Sequence, residues 1–155
     1  MKTKGPTAKR KRKISCIKLP AQRQLYFPYE GRYFDLEAIF KKINGRYFAN
    51  RLKNYTVTWG QKRKQPPKEY FVFGTIQEED RVIKIHPLLD APFVPAWFIE
   101  YVMYHEMLHA FVPDEFDPSG RRIVHHEKFV KRERKFSHYR RAKRWEDANL
   151  TRLLR

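Results

Sequence analysis

The chain has 155 residues, a formal net charge of +17 and a mean hydropathy of −0.79, which predict one small domain with basic tails. No apolar run approaches the roughly 18 residues needed to cross a bilayer, and the N-terminal stretch lacks the apolar segment of a secretory signal. The single Cys16 excludes an internal disulfide and a cysteine-rich zinc ribbon. We therefore expect a cytoplasmic protein without a membrane partner, with the nucleoid or, in a eukaryote, the nucleus as alternative locations.

The basic residues are concentrated in two stretches. Residues 1–29 hold nine Lys or Arg and no acid, and residues 121–144 hold eleven against two Glu. Two basic stretches around a near-neutral middle favour contact with the backbone of DNA or another nucleic acid, although a solvated surface is the ordinary interpretation of a charge run. The residues predicted to make this contact are Lys9, Arg10, Lys11, Arg12, Lys13, Lys131, Arg132, Arg134, Lys135, Arg140 and Arg141.

The chain is predicted to begin with a flexible basic arm over residues 1–28, because few apolar residues there could be buried. The basic run at 9–13 would also suit a nuclear localisation signal. The folded domain is predicted over 33–137, followed by a basic extension over 138–155. Asp35 can cap a first helix that ends near residue 48, with apolar positions at helical spacing: Leu36, Ile39, Phe40, Ile43 and Tyr47.

Three β-rich runs follow this first helix, at residues 55–59, 70–76 and 81–85. The last two flank a polar turn and are predicted to form a hairpin. A helix is predicted over about 96–111, between Pro95 and Pro113, and another over about 124–137, after an acidic loop at 113–120. The order of helix, three strands and two helices predicts an α+β domain.

His105, Glu106 and His109 carry the clearest chemical signal in the chain. Two histidines four residues apart lie on one face of a helix and can bind the same metal ion, and the intervening glutamate can act as a base toward water activated by that ion. The histidines also belong to an apolar stripe at helical spacing, which predicts that both face inward. Its other members are Phe98, Tyr101, Val102, Leu108 and Val112.

A third metal ligand is expected further along the chain. The metzincin pattern is excluded, because its glycine and histidine positions are Val112 and Glu115 here. On the predicted helix over 124–137, His125 shares a face with Phe129, and we therefore favour His125 over His126 as the ligand. The other candidates are Glu127, Glu133 and His138.

Several motifs in order resemble the SprT-like zinc metalloprotease family, which includes the Spartan type of DNA–protein crosslink protease. The resemblance covers about residues 33–136. The matching segments are the helix end Asn44–Leu52, the strand Thr56–Trp59, the hairpin parts Phe73–Thr75 and Val82–Ile85, the site helix at His105–Ala110, and His125–Phe129.

The resemblance implies a small zincin-like fold in which an N-terminal helix, a three-stranded sheet, the His–Glu–His helix and a following ligand-bearing helix form one domain. It implies one zinc ion held by His105, His109 and His125. Two features depart from the family pattern. His126 replaces the glycine that follows the third histidine, and the chain lacks the cysteine-rich ribbon that often follows the protease domain.

The expected function is that of a zinc-dependent endopeptidase acting on nucleic-acid-associated or DNA-crosslinked proteins, with Glu106 as the general base. Tyr104 and His126 are candidates for the second group that stabilises the oxyanion. Two alternatives remain: a nucleic-acid-binding protein with a non-catalytic metal site, and a three-histidine metal-dependent nuclease.

Overall fold

The computed structural model describes residues 29–61 and 71–154. Within these ranges the fold is α+β, with four α-helices, a three-stranded mixed sheet and a small second hairpin. In chain order the elements are α1 (Leu36–Phe48), β1 (Thr56–Trp59), β2 (Gly74–Gln77), β3 (Val82–Ile85), a 3-10 turn (Pro87–Leu89), α2 (Ala96–His109), β4 (Glu115–Phe116), β5 (Arg122–Ile123), α3 (Glu127–Glu133) and α4 (Tyr139–Leu153).

The main sheet has the order β1-β3-β2, with β3 in the middle. Strand β1 pairs parallel to β3, in the register Thr56 to Val82, and β2 pairs antiparallel to β3, in the register Gly74 to Ile85. The predicted hairpin is therefore confirmed, although its first strand begins at residue 74. The edge of β2 that does not face β3 has no partner strand among the described residues.

Helix α1 begins and ends where the sequence predicts. The carboxylate of Asp35 accepts hydrogen bonds from the backbone N–H groups of Glu37 and Ala38, which otherwise have no partner in the first turn. After Phe48 the chain leaves the helix through Ala49, which has a left-handed backbone with a φ of 50°. The helix packs its buried face on α2 and β1.

Helix α2 is the centre of the domain. It packs against α1, α3, α4 and two strands of the main sheet. The sequence predicts one inward stripe, but residues on nearly every side of the helix are buried, including Ile99, Met103 and Met107 with no exposed surface. A helix that is apolar on all sides forms the middle of a core, and α2 is such a helix.

The region between α2 and α3 differs from the predicted acidic loop. Residues Glu115 and Phe116 pair antiparallel with Arg122 and Ile123, and Gly120 in the turn between them has a φ of 84°. Helix α3 is shorter than the predicted helix over 124–137, because it begins only at Glu127. His125 therefore lies in the segment before α3, and the helical face that was used to select it does not exist.

Most of the predicted basic C-terminal extension over 138–155 is helix α4, Tyr139–Leu153, which packs on the core. Helix α4 buries Ala142 and Leu153 completely or nearly so, and its Trp145 ring lies 4.1 Å from the ring of Phe98 on α2. The helix is amphipathic: its basic residues face solvent while its few apolar residues face α2. No described helix is long and apolar enough to span a bilayer.

Candidate metal centre

The last turn of α2 presents the two histidines of the motif on one face. The Nε2 atoms of His105 and His109 lie 3.2 Å apart, as the four-residue spacing predicts. Both side chains are half-buried, and His105 keeps 24% of its side-chain surface exposed. The pair therefore lies at the boundary between the core and solvent.

His125 completes the cluster from the segment that follows β5. Its Nε2 atom lies 3.2 Å from the Nε2 atoms of both His105 and His109. Ligands at 2.0–2.1 Å around a tetrahedral zinc ion would be separated by about 3.3 Å, which is close to the observed spacing. The three nitrogens thus fit a metal ion, and they form the one group of three potential ligands found among residues 29–61 and 71–154.

Glu133 fixes the orientation of the first histidine. Its Oε1 atom accepts a hydrogen bond of 2.7 Å from Nδ1 of His105 and another of 2.7 Å from the hydroxyl of Tyr101. Because a carboxylate can only accept, the proton of His105 is on Nδ1 and the lone pair of Nε2 faces the cluster. Burial alone would raise the pKa of Glu133, but the hydrogen bonds from His105 and Tyr101 hold that pKa below its ordinary value.

Glu133 was one of the candidate metal ligands. In the structure it is instead the hydrogen-bond partner of His105. Such outer partners set the tautomer and the angle of a metal-binding imidazole. The sequence contained a usable signal for a role of Glu133 near the cluster. On the helix that follows His125, Glu133 lies one turn after the buried Phe129. Tyr101, which also holds Glu133, was expected only as a core residue.

The ring of Phe129 packs against all three imidazoles. Its ring has no exposed surface and lies 4.5 Å from the ring of His109, 4.8 Å from that of His125 and 5.2 Å from that of His105. This close-packed apolar contact keeps the rings in place and excludes water from the side of the cluster that Phe129 occupies. The resemblance-based motif His125–Phe129 thus forms a structural unit.

The side chain of Glu106 lies toward the main sheet. Only 5% of the residue is exposed, and its carboxylate lies against Gly74, the first residue of β2. A Cβ atom at position 74 would come within 2.8 Å of Oε1 of Glu106, so glycine leaves the room that this carboxylate occupies. Burial raises the pKa of Glu106 to about 7, against a smaller opposing effect of His105.

Burial lowers the pKa of two histidines of the cluster, which favours their neutral form. Burial lowers the pKa of His109 to about 4, and the neighbouring His105 and His125 add to this effect. Burial also lowers the pKa of His125, with a further contribution from His105. Neutral imidazoles have the free lone pair that a metal ion requires.

His126 has a role separate from the cluster. It is buried, and its Nε2–H donates a 3.0 Å hydrogen bond to the backbone carbonyl of Pro113. Tyr104, the other candidate oxyanion donor, is buried and donates its hydroxyl proton to the carbonyl of Arg132 at 2.7 Å. Both candidates are thus engaged elsewhere, and His126 instead joins the segment after α2 to the start of α3.

The predicted nucleic-acid contacts fall into two groups. Lys9, Arg10, Lys11, Arg12 and Lys13 lie outside the described residues, as does the whole predicted arm. The remaining six are all exposed on α3, on α4 or on the turn between them: Lys131, Arg132, Arg134, Lys135, Arg140 and Arg141. Of the other candidate ligands, Glu127 and His138 are exposed, and neither belongs to the histidine cluster.

Comparisons of the chain with protein-family models, with curated proteins and with solved structures gave no match.

Proposed function

We propose that this protein is a zinc-dependent endopeptidase whose metal ligands are His105, His109 and His125. The observation that carries the proposal is the combination of three converging imidazole nitrogens with a buried carboxylate one residue after the first of them. Three protein ligands leave one position of a tetrahedral zinc ion open, which is typical of catalytic sites. A purely structural site has no need of the adjacent carboxylate.

The surroundings of each residue indicate its role in the proposed hydrolysis. A zinc ion held here would supply Lewis acidity toward a carbonyl and toward a water molecule. Glu106, with its pKa near 7, is suited to take a proton from the attacking water and to return it to the leaving amine. Glu133 holds His105 in the tautomer that binds a metal, and Phe129 excludes water from one side of the cluster.

The free edge of β2 is the proposed place for the substrate backbone. Gly74 begins this strand and touches Glu106, so an extended peptide that pairs with β2 would run past the base. Addition of a peptide strand to an exposed sheet edge is a common form of peptide recognition. The proposed contact with the substrate backbone is therefore along β2, Gly74–Gln77.

Membership of the SprT-like family and a zincin-like fold are part of this proposal. They are supported by the order of the motif-bearing segments and by the position of the His–Glu–His helix beside a small mixed sheet. A nucleic-acid-associated protein substrate is supported by the net charge of +17 and by the exposed basic residues on α3 and α4. Binding to nucleic acid would raise the local concentration of proteins attached to it.

The direct test is the Glu106→Gln variant, assayed for casein hydrolysis and for bound zinc. We expect zinc at a stoichiometry near one in both proteins and a loss of at least 100-fold in the hydrolysis rate of the variant, because a glutamine cannot accept the proton. Glu100→Gln on the same helix is the matched control, since that carboxylate pairs with Lys42. Undiminished hydrolysis in Glu106→Gln would refute the mechanism.

The same preparation distinguishes the alternative functions. Casein and end-labelled DNA or RNA are each incubated with the protein, with and without a chelator. Chelator-sensitive cleavage of casein alone supports the peptidase, and chelator-sensitive cleavage of nucleic acid alone supports the nuclease. Bound zinc without cleavage of either substrate supports a non-catalytic metal site.

A further inference from the structure

The turn between α3 and α4 lines a half-open, strongly basic cavity that is separate from the histidine cluster. Its volume is about 650 Å³. Four arginine side chains contribute to its wall, together with Ser137 and two rings that can contact a ligand. The lining residues that matter here are Arg134, Arg140, Arg141, Arg144, His138 and Tyr139.

The four arginines of this cavity have no carboxylate partner among residues 29–61 and 71–154. The ion pairs of that part of the chain use other cations, such as Lys128 with Glu115 and Lys143 with Glu146. The contacts that the arginines do make leave their charge uncompensated: Arg141 stacks on the Trp97 ring at 4.3 Å, and Nε of Arg144 donates to the carbonyl of Arg140. An arginine cannot lose its proton to relieve repulsion, so four of them around one cavity favour an anion.

The backbone adds positive potential to the same place. Helix α4 is 15 residues long and begins at Tyr139, and no side chain caps its first turn. The N–H of Tyr139 donates to the carbonyl of Phe136, whereas the next N–H groups of the first turn and the positive end of the helix dipole point toward the region lined by Arg140 and Arg141. Arginine side chains and a helix N-terminus are the two devices that proteins use most to bind phosphate.

The size and the lining of the cavity favour a polymer over a single small anion. A volume of about 650 Å³ falls in the range of roughly 300–1,000 Å³ that holds drug-sized ligands, which is more than one isolated oxyanion fills. His138 and Tyr139 supply rings beside the arginines, and bases stack on such rings. Planar guanidinium groups also match the paired oxygens of a phosphodiester.

We infer that this cavity is a binding site for the phosphodiester backbone of a nucleic acid, and we assign the contacts to Arg134, Arg140, Arg141 and Arg144. The inference deepens the nucleic-acid part of the proposed function and is independent of hydrolysis. It adds Arg144 and the start of α4 to the residues that the sequence indicated. It also locates the contact in a defined cavity of the folded domain, apart from the predicted arm over 1–28.

The test measures the binding of a fluorescein-labelled 20-nucleotide DNA, as a single strand and as a duplex, by fluorescence anisotropy. The full chain carries Glu106→Gln throughout, so that proteolysis does not affect the measurement. The test variant adds Arg140→Gln and Arg144→Gln, which leaves the stacking of Arg141 on Trp97 intact. The result is compared on whichever of the two DNA forms, single strand or duplex, binds more tightly. We expect its dissociation constant to rise about tenfold and the slope of log K against log salt to become shallower by roughly two.

The control removes the same charge elsewhere, with Lys53→Gln and Arg81→Gln, two exposed residues beside the ends of β1 and β3. Circular dichroism and the melting temperature verify folding of both double variants. Equal losses in the two variants would show a general charge effect and overturn the inference. Unchanged binding in the arginine variant would also overturn it while leaving nucleic-acid binding by other residues intact. If the parent chain, which carries Glu106→Gln alone, does not bind at low salt, both the inference and nucleic-acid binding by this protein are refuted.

Two competitors separate other anions from nucleic acid. Polyglutamate and inorganic phosphate are each added to the oligonucleotide complex of the parent chain, which carries Glu106→Gln alone, with chloride at the same ionic strength as the reference. We expect neither to displace the oligonucleotide beyond the chloride effect. Displacement by polyglutamate would assign the cavity to an acidic protein segment, and displacement by phosphate would assign it to a small phosphate ligand; either result would overturn the inference.

Discussion

The histidine cluster and the arginine cavity both adjoin the seven-residue helix α3, but they have no residue in common. His125 precedes the first residue of that helix, and Arg134 follows the last. In the cluster, the chain itself supplies the partners: Glu133 holds His105, and Phe129 supports all three rings. In the cavity, four cations converge without a described carboxylate partner.

This difference separates two ways of preparing a binding site. The cluster is partly buried and oriented in advance, so that a metal ion would meet ligands already in their binding geometry. The cavity is charged and partly open, so that its affinity rests on the charge of its ligand and falls with salt. Changes at the cluster should therefore have large and local effects, and changes at the cavity should have smaller and salt-dependent ones.

The largest expected effect is at the third ligand. We expect His125→Ala to lose stoichiometric zinc and all measurable hydrolysis. Its zinc affinity should fall by more than the roughly 10–100-fold that removal of a ligand's hydrogen-bond partner costs. The matched control is His126→Ala, which should keep its zinc, because that side chain bonds to the Pro113 carbonyl. Metal analysis after dialysis measures both, and the reverse result would overturn the choice of ligand.

The next largest effect, on zinc affinity, is expected at Glu133, the hydrogen-bond partner of His105. We expect Glu133→Gln to bind zinc about 10–100-fold more weakly, because the amide no longer stabilises the required tautomer of that imidazole. Glu127→Gln on the same helix is exposed and should change zinc affinity less than twofold. A competition titration with a chromophoric chelator gives both values. Equal affinities in the two variants would remove Glu133 from the site.

The pH dependence should separate the two regions. Because Glu106 acts as a base only when ionised and its pKa is about 7, hydrolysis should rise about tenfold from pH 6 to well above pH 7 and then level off. Oligonucleotide binding by arginines should stay constant from pH 7 to 9, since their charge does not change. Initial rates and anisotropy, measured at constant ionic strength, test this; a flat rate profile would contradict the role of Glu106.

The smallest expected effect is on stability. Arg140→Gln with Arg144→Gln should change the free energy of unfolding by no more than about 0.5 kcal/mol, and toward higher stability at low salt, because like charges are removed. Urea titrations at two salt concentrations measure this. A large destabilisation would mean that the arginines hold the fold together.

The parts of the fold with local signals were predictable from the sequence. Asp35 caps α1 as expected, and the prolines at 95 and 113 bracket α2. Helix α4 was missed because its apolar residues are few and separated by charges, so that only packing on Phe98 shows which side is buried. The strands β4 and β5 were missed because two residues are too few to show an alternating pattern.

The candidate site shows a similar limit. His105, Glu106 and His109 follow from the spacing within one helix. His125 was selected correctly as a member of the cluster, but the helical face that favoured it does not exist, because α3 begins two residues later. The position of Glu133 on the helix after His125 marked it as a possible ligand but did not reveal its hydrogen bond to His105. The contact of Gly74 with Glu106 joins residues far apart in sequence, and no local pattern predicts it.

Gly74 has a consequence for how this sequence can vary. An alanine there would place its Cβ against the carboxylate of Glu106, whereas the strand itself needs nothing from the glycine, whose φ is not in the positive range. In a library of variants randomised at position 74, selection for folding should retain many residues, and selection for hydrolysis should retain glycine. Deep sequencing of the two selected pools would reveal the contact without any structure.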